Sequence, residues 1–289
     1  PFSGTVCAKD RAFQTDRFIS SGAVEETYEP RFTYNGFQYV LVRGLKRPLE
    51  AADIVQCVIS TDFRSVAEFH SSDPLLDRLM RAAARTYRAN FTMGLPTDCP
   101  HREKNGWTGD ASVASDFAQF QFENTSAYEK WLRDLTDAQN AAGDIPGIVP
   151  SPCWGYLWGN GPAWDSSLSV IPWNLYRYRD DRRALETAYP ALVRYLAYTE
   201  GKADKDGIVK HGLGDWIPPD WKRIPSVAFT SSCFFLQANE LAAKMAQTLD
   251  RSDDAKRYAR RAAELRRAIR ARFLKGNGVF DNGGQTAQS

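Results

Sequence analysis

Three carboxylates lie close together in one short segment of the chain. The segment covers residues 96–110 and reads PTDCPHREKNGWTGD, and its acids are Asp98, Glu103 and Asp110. Carboxylates that share a site repel one another, and this repulsion together with partial burial raises the pKa of at least one of them. A carboxylic acid that stays protonated near neutral pH can act as a general acid. We call residues 96–110 the acidic segment.

Other side chains of the acidic segment suit the hydrolysis of a glycosidic bond. That reaction needs an acid to protonate the leaving oxygen, and carboxylates that hold hydroxyls and stabilise an oxocarbenium-like transition state. Trp107 offers an apolar face for a sugar ring and can desolvate Glu103, while Arg102 can hold one aspartate in its ionised form. The residue types therefore indicate a glycosidase site.

Simpler roles for the same residues stay open at this point. Asp110 is equally suited to be a helix N-cap, and both roles can hold together. Asp98 can be a turn residue before a proline. Glu103 and Lys104 can form a solvated surface pair, which is the commoner fate of such residues.

Composition and charge exclude several classes of protein. The chain has 289 residues, 43% of them hydrophobic, with 37 Lys and Arg against 35 Asp and Glu. This composition is typical of a soluble globular protein, and the near-neutral charge argues against a nucleic-acid partner. No run approaches the ~18 to 20 apolar residues of a membrane span. The basic run at residues 257–272 is predicted to be the solvated face of a helix.

Cysteine and histidine usage indicates neither a metal site nor a disulfide framework. The five cysteines are odd in number and scattered without a CxxC pair, which slightly favours a cytoplasmic location. His70, His101 and His211 are too far apart for a compact metal motif, although His101 can hydrogen-bond in the site. No glycine-rich phosphate loop with strand-then-helix context is present. We therefore predict no metal and no cofactor.

The first 70 residues are typical of β structure. RFTYNGFQYVLVRG, residues 31–44, alternates aromatic and polar positions around Asn35-Gly36, which predicts a hairpin. DIVQCVIST, residues 53–61, is β-branched and predicts a further strand. Residues 1–70 are thus predicted to be the C-terminal part of a larger β domain.

From Asp73 onward the apolar spacing becomes helical. Asp73 predicts an N-cap with Pro74 at the first helical position, and a second helix is expected to start near Asp110. The first helix is expected to place on one face Leu75, Leu76, Leu79, Met80, Ala83 and Tyr87, and the second Val113, Ala114, Phe117 and Phe120. Further helices are predicted from about 126, at 167–179, at 181–200 with an interruption near Pro190, at 228–249 and at 252–274.

Two long loops rich in Gly, Pro and Trp interrupt these helices. Residues 143–166 form the first aromatic loop and residues 211–221 the second, and loops of this length are usually functional. Helical hairpins in series, with functional loops at one rim, suggest an α/α toroid. A closed toroid of twelve helices needs roughly 350 to 400 residues. We therefore expect an incomplete chain, cut at both ends.

The acidic segment closely resembles the signature of the bacterial α-L-rhamnosidases of glycoside hydrolase family 78. The shared pattern is Asp-Cys-Pro, then Arg and an acidic residue, then Gly-Trp, a small residue and Gly-Asp. Four other stretches agree with the family: GDIPGIVP, AWDSS, HGLGDW and EPRFTYNGFQYVLVRG. Lys104-Asn105 departs from the Arg-Leu that the family more often has, without touching the acidic positions.

This resemblance implies a fold class and a set of site residues. The fold would be mainly α, an incomplete (α/α)6 barrel over residues 71–289, preceded by a short β-strand segment from a β-sandwich domain. Glu103 would be the general acid of an inverting hydrolysis of rhamnose-containing glycosides or polysaccharides. The substrate-binding residues would be Asp98, Arg102, Trp107, Asp110, Trp164, Asp165, Asp215 and Trp216. Of these, Asp165 and Asp215 can also be helix-capping residues.

The resemblance also implies that the general base lies beyond residue 289. Inverting hydrolysis needs a second carboxylate to activate water, and in the family it is a glutamate of a later loop. Glu240 and Glu264 lie inside amphipathic helices, where a surface role is expected. We therefore expect this chain by itself to be inactive or nearly so. The alternatives are a toroid glycosidase for another sugar and a non-catalytic sugar-binding protein.

Overall fold

The computed structural model describes residues 14–151 and 155–289, and these two ranges are mainly helical. Apart from a short 3-10 turn at Ala51–Asp53, their helices are α1 Pro74–Ala89, α2 Thr108–Gln121, α3 Thr125–Asp137, α4 Pro162–Asp165, α5 Ser167–Arg179, α6 Arg182–Glu200, α7 Val227–Thr248, α8 Ser252–Phe273 and α9 Gln285–Gln288. Long helices joined by long loops confirm the predicted mainly helical fold.

Short two-stranded ribbons flank the first two long helices. β1 Arg64–Ser65 pairs antiparallel with β4 Phe122–Glu123, which ties the chain before α1 to the end of α2. β2 Phe91–Thr92 pairs with β3 Leu95–Pro96 across a two-residue turn. Both residues of that turn have positive φ, which matches the twist of a tight hairpin.

The hairpin predicted around Asn35-Gly36 does not form. Residues 31–44 contain no strand ladder, and Phe32 and Tyr39 are 101% and 89% exposed. Residues 53–61 likewise contain no strand. A two-stranded hairpin is marginal in water unless a further sheet or a core covers its apolar face. The alternating pattern has no described sheet on which to pack.

The core lies among α3, α5, α6 and α7. These helices bury completely a set of large side chains that includes Tyr128, Trp131, Leu132, Leu135, Leu168, Ile171, Leu175, Leu185, Leu192 and Phe235. Removing each such side chain from water stabilises the fold by roughly 1.5–3 kcal/mol. On α8 the buried residues are Tyr258, Ala262, Leu265 and Ile269, so the apolar inner face predicted for this basic helix is confirmed.

Helix α1 begins as predicted but does not bury the predicted face. Asp73 accepts a hydrogen bond from the backbone N–H of Leu75 at 2.8 Å, which confirms the cap. Leu75 and Leu79 are nevertheless 51% and 55% exposed, and Tyr87 is the one fully buried residue of the helix. Helical spacing shows which residues share a face, but it does not show whether another element covers that face.

Helix α2 also differs from its predicted face. Val113 and Phe120 are 84% and 49% exposed, whereas small and polar residues such as Ser112 and Ser115 are buried. The Oγ of Ser112 lies 2.8 Å from that of Ser166, and the Asn174 amide donates to Ser115 at 2.9 Å. Small hydroxyl side chains let α2 approach α5 closely, so this face packs better than the bulkier one.

Helix α6 continues through Pro190 without the predicted interruption. Proline in a helix interior costs about 3 kcal/mol because it removes one donor and crowds the preceding turn. Here Tyr189 and Ala191 on either side are only 1% and 2% exposed. Burial of the surrounding residues offsets the cost, so tertiary packing overrides the local preference.

Candidate functional site

The acidic segment folds back on itself through Asp98. The backbone N–H of Asn105 donates to Asp98 Oδ1 at 3.0 Å, and the backbone N–H of Asp98 donates to the Asn105 carbonyl at 3.0 Å. The Cys99 thiol donates to the other carboxylate oxygen at 3.0 Å. Asp98 is therefore a turn-forming residue, as the simpler interpretation proposed, and the turn carries Glu103 inward.

Glu103 is buried, with a side-chain partner on each carboxylate oxygen. The indole Nε1–H of Trp107 donates to Oε2 at 2.8 Å, and Arg102 approaches Oε1 at 2.9 Å. Glu103 is 7% exposed, while the Arg102 side chain is 51% exposed. Burial contradicts the solvated surface pair with Lys104. The charged side chain beside Glu103 is a cation, whereas the sequence predicts repulsion among the three carboxylates of the acidic segment.

The carboxyl group of Asp110 lies close enough to Asp98 for the charge of Asp98 to raise its pKa. It lies in the first turn of α2, whose N-cap position is held by Trp107, so the N-cap role proposed for Asp110 is wrong. Loss of hydration among the surrounding protein atoms, and then the negative charge of Asp98, raise the pKa of Asp110 to about 6. Asp110 is nonetheless exposed to solvent. An approaching ligand can therefore reach it.

Glycines allow three close backbone contacts among the acidic segment and the two aromatic loops. A Cβ on Gly106 would lie 2.1 Å from the Val149 carbonyl oxygen, and one on Gly147 would lie 1.8 Å from the Gly159 carbonyl oxygen. A Cβ on Gly161 would lie 2.5 Å from the Gly212 Cα. Only glycine permits such close approach. The acidic segment therefore meets the first aromatic loop, and the first aromatic loop meets the second.

Backbone hydrogen bonds fix the first aromatic loop on the acidic segment. The N–H of Thr108 donates to the Gly147 carbonyl at 2.9 Å, and the N–H of Val149 donates to the Gly106 carbonyl at 2.8 Å. The indole of Trp131 in α3 donates to the Val149 carbonyl at 3.1 Å. The rigid helical core thus holds the loop that in turn holds Trp107.

Of the two tryptophans predicted in the aromatic loops, the structure brings Trp164 next to the acidic segment and places Trp216 farther away. The ring of Trp164 in α4 lies 3.0 Å from the position a Cβ would take on Gly109, next to Asp110. Its indole nitrogen is buried and has no described partner. Trp216 is 48% exposed, and Trp158 separates it from Trp107.

The two remaining predicted aspartates hold structure in place. Asp165 is 1% exposed and accepts a hydrogen bond from the Gly161 N–H at 2.9 Å, as a helix-capping residue does. Burial, and then the charge of Asp144, raise the pKa of Asp165 well above its usual range. Asp215 accepts from the Thr286 hydroxyl at 2.7 Å. In this arrangement both carboxylates are used within the protein.

Asp144 is a buried residue that the sequence did not single out. It accepts hydrogen bonds from the Tyr198 hydroxyl at 2.8 Å and from the Asn160 amide at 3.1 Å. It therefore joins α6 to two parts of the first aromatic loop. The sequence signal that could have pointed to Asp144 is its place in the stretch GDIPGIVP, which agrees with the family pattern. Nearby, burial and the charge of Lys202 lower the pKa of His211 to about 4.

The segment before α1 covers the outside of the acidic segment. Lys104 donates to the Tyr34 carbonyl and lies 4.8 Å from the centre of the Tyr34 ring. Gly36 lies against His101, where a Cβ would be 2.9 Å from the His101 Cβ. Residues 34–36 therefore pack on the acidic segment although they form no strand.

The part of the chain that the structure describes contains neither a metal-binding cluster nor a membrane-spanning helix. No group of three or more His, Cys, Asp or Glu residues there is arranged to hold a metal ion. None of the helices in residues 14–151 and 155–289 combines the length and the apolar character that crossing a membrane requires.

Known families match nearly the whole chain. Residues 64–289 match the bacterial alpha-L-rhamnosidase six-hairpin glycosidase domain, and residues 4–60 match the bacterial alpha-L-rhamnosidase concanavalin-like domain. An α-L-rhamnosidase of Streptomyces avermitilis is 34% identical over 280 residues, which are 96% of this chain and 26% of that protein. The chain thus spans about a quarter of the length of this relative.

Solved structures agree with the sequence matches. A Streptomyces avermitilis α-L-rhamnosidase complexed with L-rhamnose superposes with a TM-score of 0.69 at 28% identity, covering 80% of this chain and 21% of that one. A native α-L-rhamnosidase from Aspergillus terreus superposes with a TM-score of 0.80 at 26% identity, covering 91% and 31%. By sequence, by fold and by the motifs gathered at its site, the chain belongs to the bacterial α-L-rhamnosidase family.

Proposed function

We propose that this site takes part in the hydrolysis of terminal α-L-rhamnosyl residues from glycosides, with inversion of configuration. The observation that carries the proposal is the convergence of the acidic segment with both aromatic loops, around a buried glutamate. A carboxyl in an aromatic-walled, partly desolvated place is suited to protonating a glycosidic oxygen. The relative solved with L-rhamnose supports the choice of sugar.

Glu103 is proposed as the proton donor. The hydrogen bond from Trp107 fixes the direction of its carboxyl group. An arginine beside a carboxylate favours the ionised form, which is a poor proton donor. Because the Arg102 side chain is half exposed, we propose that substrate binding draws it away from Glu103 toward the sugar hydroxyls.

The sugar would lie between polar and apolar walls. Asp98 and Asp110 would accept hydrogen bonds from the hydroxyls, since a carboxylate has about four acceptor positions and Asp98 uses only some of them for its turn. Trp164 and Trp216 would line the apolar side. Asp165 and Asp215 would act indirectly, by holding α4 and the second aromatic loop.

We further propose that the water-activating carboxylate comes from outside the described residues. Glu240 and Glu264 were the candidates within the helices, and both form ion pairs on helix surfaces, Glu240 with Arg266 and Glu264 with Arg261. This chain alone would therefore turn over substrate very slowly.

Turnover of 4-nitrophenyl α-L-rhamnoside tests the proposal. We would compare this chain with a chimera in which the remaining six-hairpin region of the Streptomyces avermitilis relative follows residue 289. The chimera should hydrolyse the rhamnoside and the isolated chain should not. Faster hydrolysis of the matching glucoside or arabinoside by the chimera would favour a glycosidase for another sugar. Full activity of the isolated chain would overturn the proposed origin of the base.

Replacing the proton donor gives a sharper result in the same chimera. Glu103→Gln should lower kcat about 10²- to 10⁴-fold on alkyl rhamnosides, whose leaving groups need protonation, and much less on the nitrophenyl substrate. L-Rhamnose affinity should stay within a few-fold. Equal losses on both substrates would remove Glu103 from its role.

A sugar-binding protein without catalysis is the second candidate. The contact between Arg102 and Glu103 favours it, because a positive charge beside a carboxyl group opposes the donation of a proton. Rhamnose binding by the chimera without any turnover would establish this alternative.

A further inference from the structure

Cys99 forms hydrogen bonds with both ends of the turn in the acidic segment. Its thiol donates to Asp98 Oδ2 at 3.0 Å, and its sulfur accepts a hydrogen bond from the backbone N–H of Glu103 at 3.4 Å. Its carbonyl accepts a hydrogen bond from the backbone N–H of Lys104 at 3.2 Å. One residue therefore bonds to the aspartate where the turn begins and to the backbone of the glutamate that the turn carries inward.

A thiol in this position is able to serve as both donor and acceptor. The Cys99 side chain is partly buried. Burial, and then the hydrogen bond and the charge of Asp98, raise the pKa of the Cys99 thiol. The sulfur therefore keeps its proton near neutral pH and donates it to Asp98. A bond to an ionised acceptor is shorter and stronger than a bond to a neutral one, which agrees with the 3.0 Å separation.

Asp98 links Cys99 to Asp110. After burial, the negative charge of Asp98 is the second cause that raises the pKa of Asp110. The other carboxylate oxygen of Asp98 accepts a hydrogen bond from the Asn105 N–H at 3.0 Å, so each oxygen is held from within the acidic segment. Loss of the thiol would leave one oxygen free to turn, and the negative charge would move away from Asp110.

We propose that Cys99 is a positioning residue of the site, whose thiol holds the Asp98 carboxylate toward Asp110 while its sulfur holds the backbone of Glu103. Cys99 acts through these residues and forms no bond to the substrate. The proposal rests on the function proposed above, because Asp98 and Asp110 would bind the sugar hydroxyls and Glu103 would protonate the leaving oxygen. The hydrogen bonds themselves can be tested without substrate.

The pKa of Asp110 reports on the position of Asp98. Carbon-13 NMR of the chain labelled at its aspartate carboxyl groups measures this pKa, and Asp110→Asn identifies the signal. Cys99→Ala should lower the pKa of Asp110 by roughly 0.5–1, because a like charge that lies farther away repels less. Asp98→Asn removes the charge and should lower that pKa at least as far. Cys99→Ser keeps a donor and an acceptor, so most of the wild-type value should remain.

Cys233→Ala is the matched control for the loss of a partly buried thiol. Cys233 lies in α7, where it packs against the small core cluster that contains Phe229 and Ile269. Its truncation removes a side chain of the same size without touching the acidic segment. The pKa of Asp110 should therefore keep its wild-type value in this variant.

Alkylation of Cys99 by iodoacetamide, followed by mass spectrometry, provides an independent reading if Cys99→Ala unfolds. The thiolate is the reactive form, and Asp98 favours the protonated thiol. Asp98→Asn should therefore make Cys99 react about three- to tenfold faster near pH 8. The rate at Cys57, which is exposed, is the control within the same sample and should not change.

Titration of L-rhamnose into the chain by calorimetry measures the consequence for binding. Cys99→Ala should weaken rhamnose binding about three- to tenfold, since Asp98 no longer holds its place. Cys99→Ser should stay within about twofold of the wild-type chain, and Cys233→Ala should bind as the wild type does.

The possible outcomes separate this proposal from the function on which it rests. The positioning role is wrong if Cys99→Ala leaves the pKa of Asp110 unchanged, if Cys99→Ser or Cys233→Ala lowers it equally, or if Asp98→Asn does not change the alkylation of Cys99. It is also wrong if Cys99→Ala binds rhamnose as tightly as the wild type. If the expected pKa changes appear while the wild-type chain binds no rhamnose, Cys99 holds Asp98 as proposed and the rhamnose site fails.

Discussion

At the scale of single residues, the site separates two kinds of acid. Glu103 is buried against a cation and an indole N–H, whereas Asp110 is crowded by another carboxylate and still touches water. Similar side chains therefore acquire different chemistry from their neighbours, which is how one site can supply both a proton and an acceptor of hydroxyl hydrogen bonds. Each environment has a measurable consequence.

Asp110 should make stability fall between about pH 4 and pH 6. Its pKa is about 6 in the folded chain and ~3.9 in an unfolded one. In that window the folded state keeps the proton that the unfolded state has lost, so stability decreases as pH rises and the full cost is present above pH 6. The Asp110→Asn variant has no carboxyl group at this position, so its stability does not decrease with pH for this reason. Its melting temperature relative to wild type should therefore rise from pH 4 to pH 7.

Asp253→Asn is the matched control for that experiment. Asp253 is exposed and, like Asp110, lies in the first turn of a long helix, so both substitutions remove a favourable interaction with the helix dipole. The difference between the two variants isolates the loss of hydration and the crowding by Asp98 that together raise the pKa of Asp110. Parallel pH profiles for both variants would contradict the account of Asp110.

The hydrogen bond from Trp107 to Glu103 should stabilise the fold more than a hydrogen bond to a neutral carbonyl does. Trp107→Phe leaves a buried carboxylate oxygen without its indole donor, and Trp131→Phe leaves the neutral Val149 carbonyl without one. Hydrogen bonds to charged groups contribute about 1.5–3 kcal/mol, against roughly 0.5–1.5 kcal/mol for neutral ones. Urea unfolding should show the larger loss for Trp107→Phe. An equal or smaller loss would mean that Glu103 gains little from this bond.

At the scale of elements, the site is made by loops whose backbones touch. Gly106 with Val149 couples the acidic segment to the first aromatic loop, Gly147 with Gly159 folds that loop on itself, and Gly161 with Gly212 couples it to the second aromatic loop. The loops are irregular, yet helix α3 anchors them through Trp131. A change in one glycine should therefore disturb the tryptophans that these loops carry.

Gly147→Ala should destabilise the chain by about 1–3 kcal/mol, in the range of overpacked sites. The new Cβ would overlap the Gly159 carbonyl, which lies 1.8 Å from its position. Gly201→Ala is the control, because its nearest neighbour is 3.4 Å away and its φ is −63°. That substitution should be neutral or stabilise by up to about 1 kcal/mol. Thermal unfolding and tryptophan fluorescence would be measured, and equal behaviour would disprove the loop contact.

At the scale of the whole molecule, stability comes from the later helices rather than from the first one. α3 and α5–α7 supply the fully buried core, while the leucines of α1 stay largely in contact with water. Residues 14–73 add little burial, although residues 34–36 pack on the acidic segment. Leucines that have similar surroundings in the sequence therefore contribute very different amounts to the free energy of unfolding.

Two leucine truncations measure this difference. Leu132→Ala, at a position 0% exposed, should cost about 2–5 kcal/mol because it leaves a cavity in the core. Leu79→Ala, at a position 55% exposed, should cost less than about 1 kcal/mol. Chemical denaturation of both variants provides the values. A cost above 2 kcal/mol for Leu79→Ala would show that the face of α1 is covered in solution.

The sequence by itself determined the helices and the composition of the site. Periodic apolar spacing and the Asp73 cap are local properties, so α1, α3 and α5–α8 were placed correctly within a few residues. The acidic segment and both aromatic loops were recognised because rare residue types cluster there. The roles assigned to the individual site residues stay predictions.

Only the tertiary structure decided which faces are covered and which charges meet. Burial depends on elements distant along the chain, so the exposed leucines of α1, the serine face of α2 and the unbroken helix at Pro190 could not be foreseen. The pairing of Glu103 with Arg102, and of Asp110 with Asp98, likewise follows from loop geometry over a few ångströms. Interactions of that range act through space, and sequence spacing does not encode them.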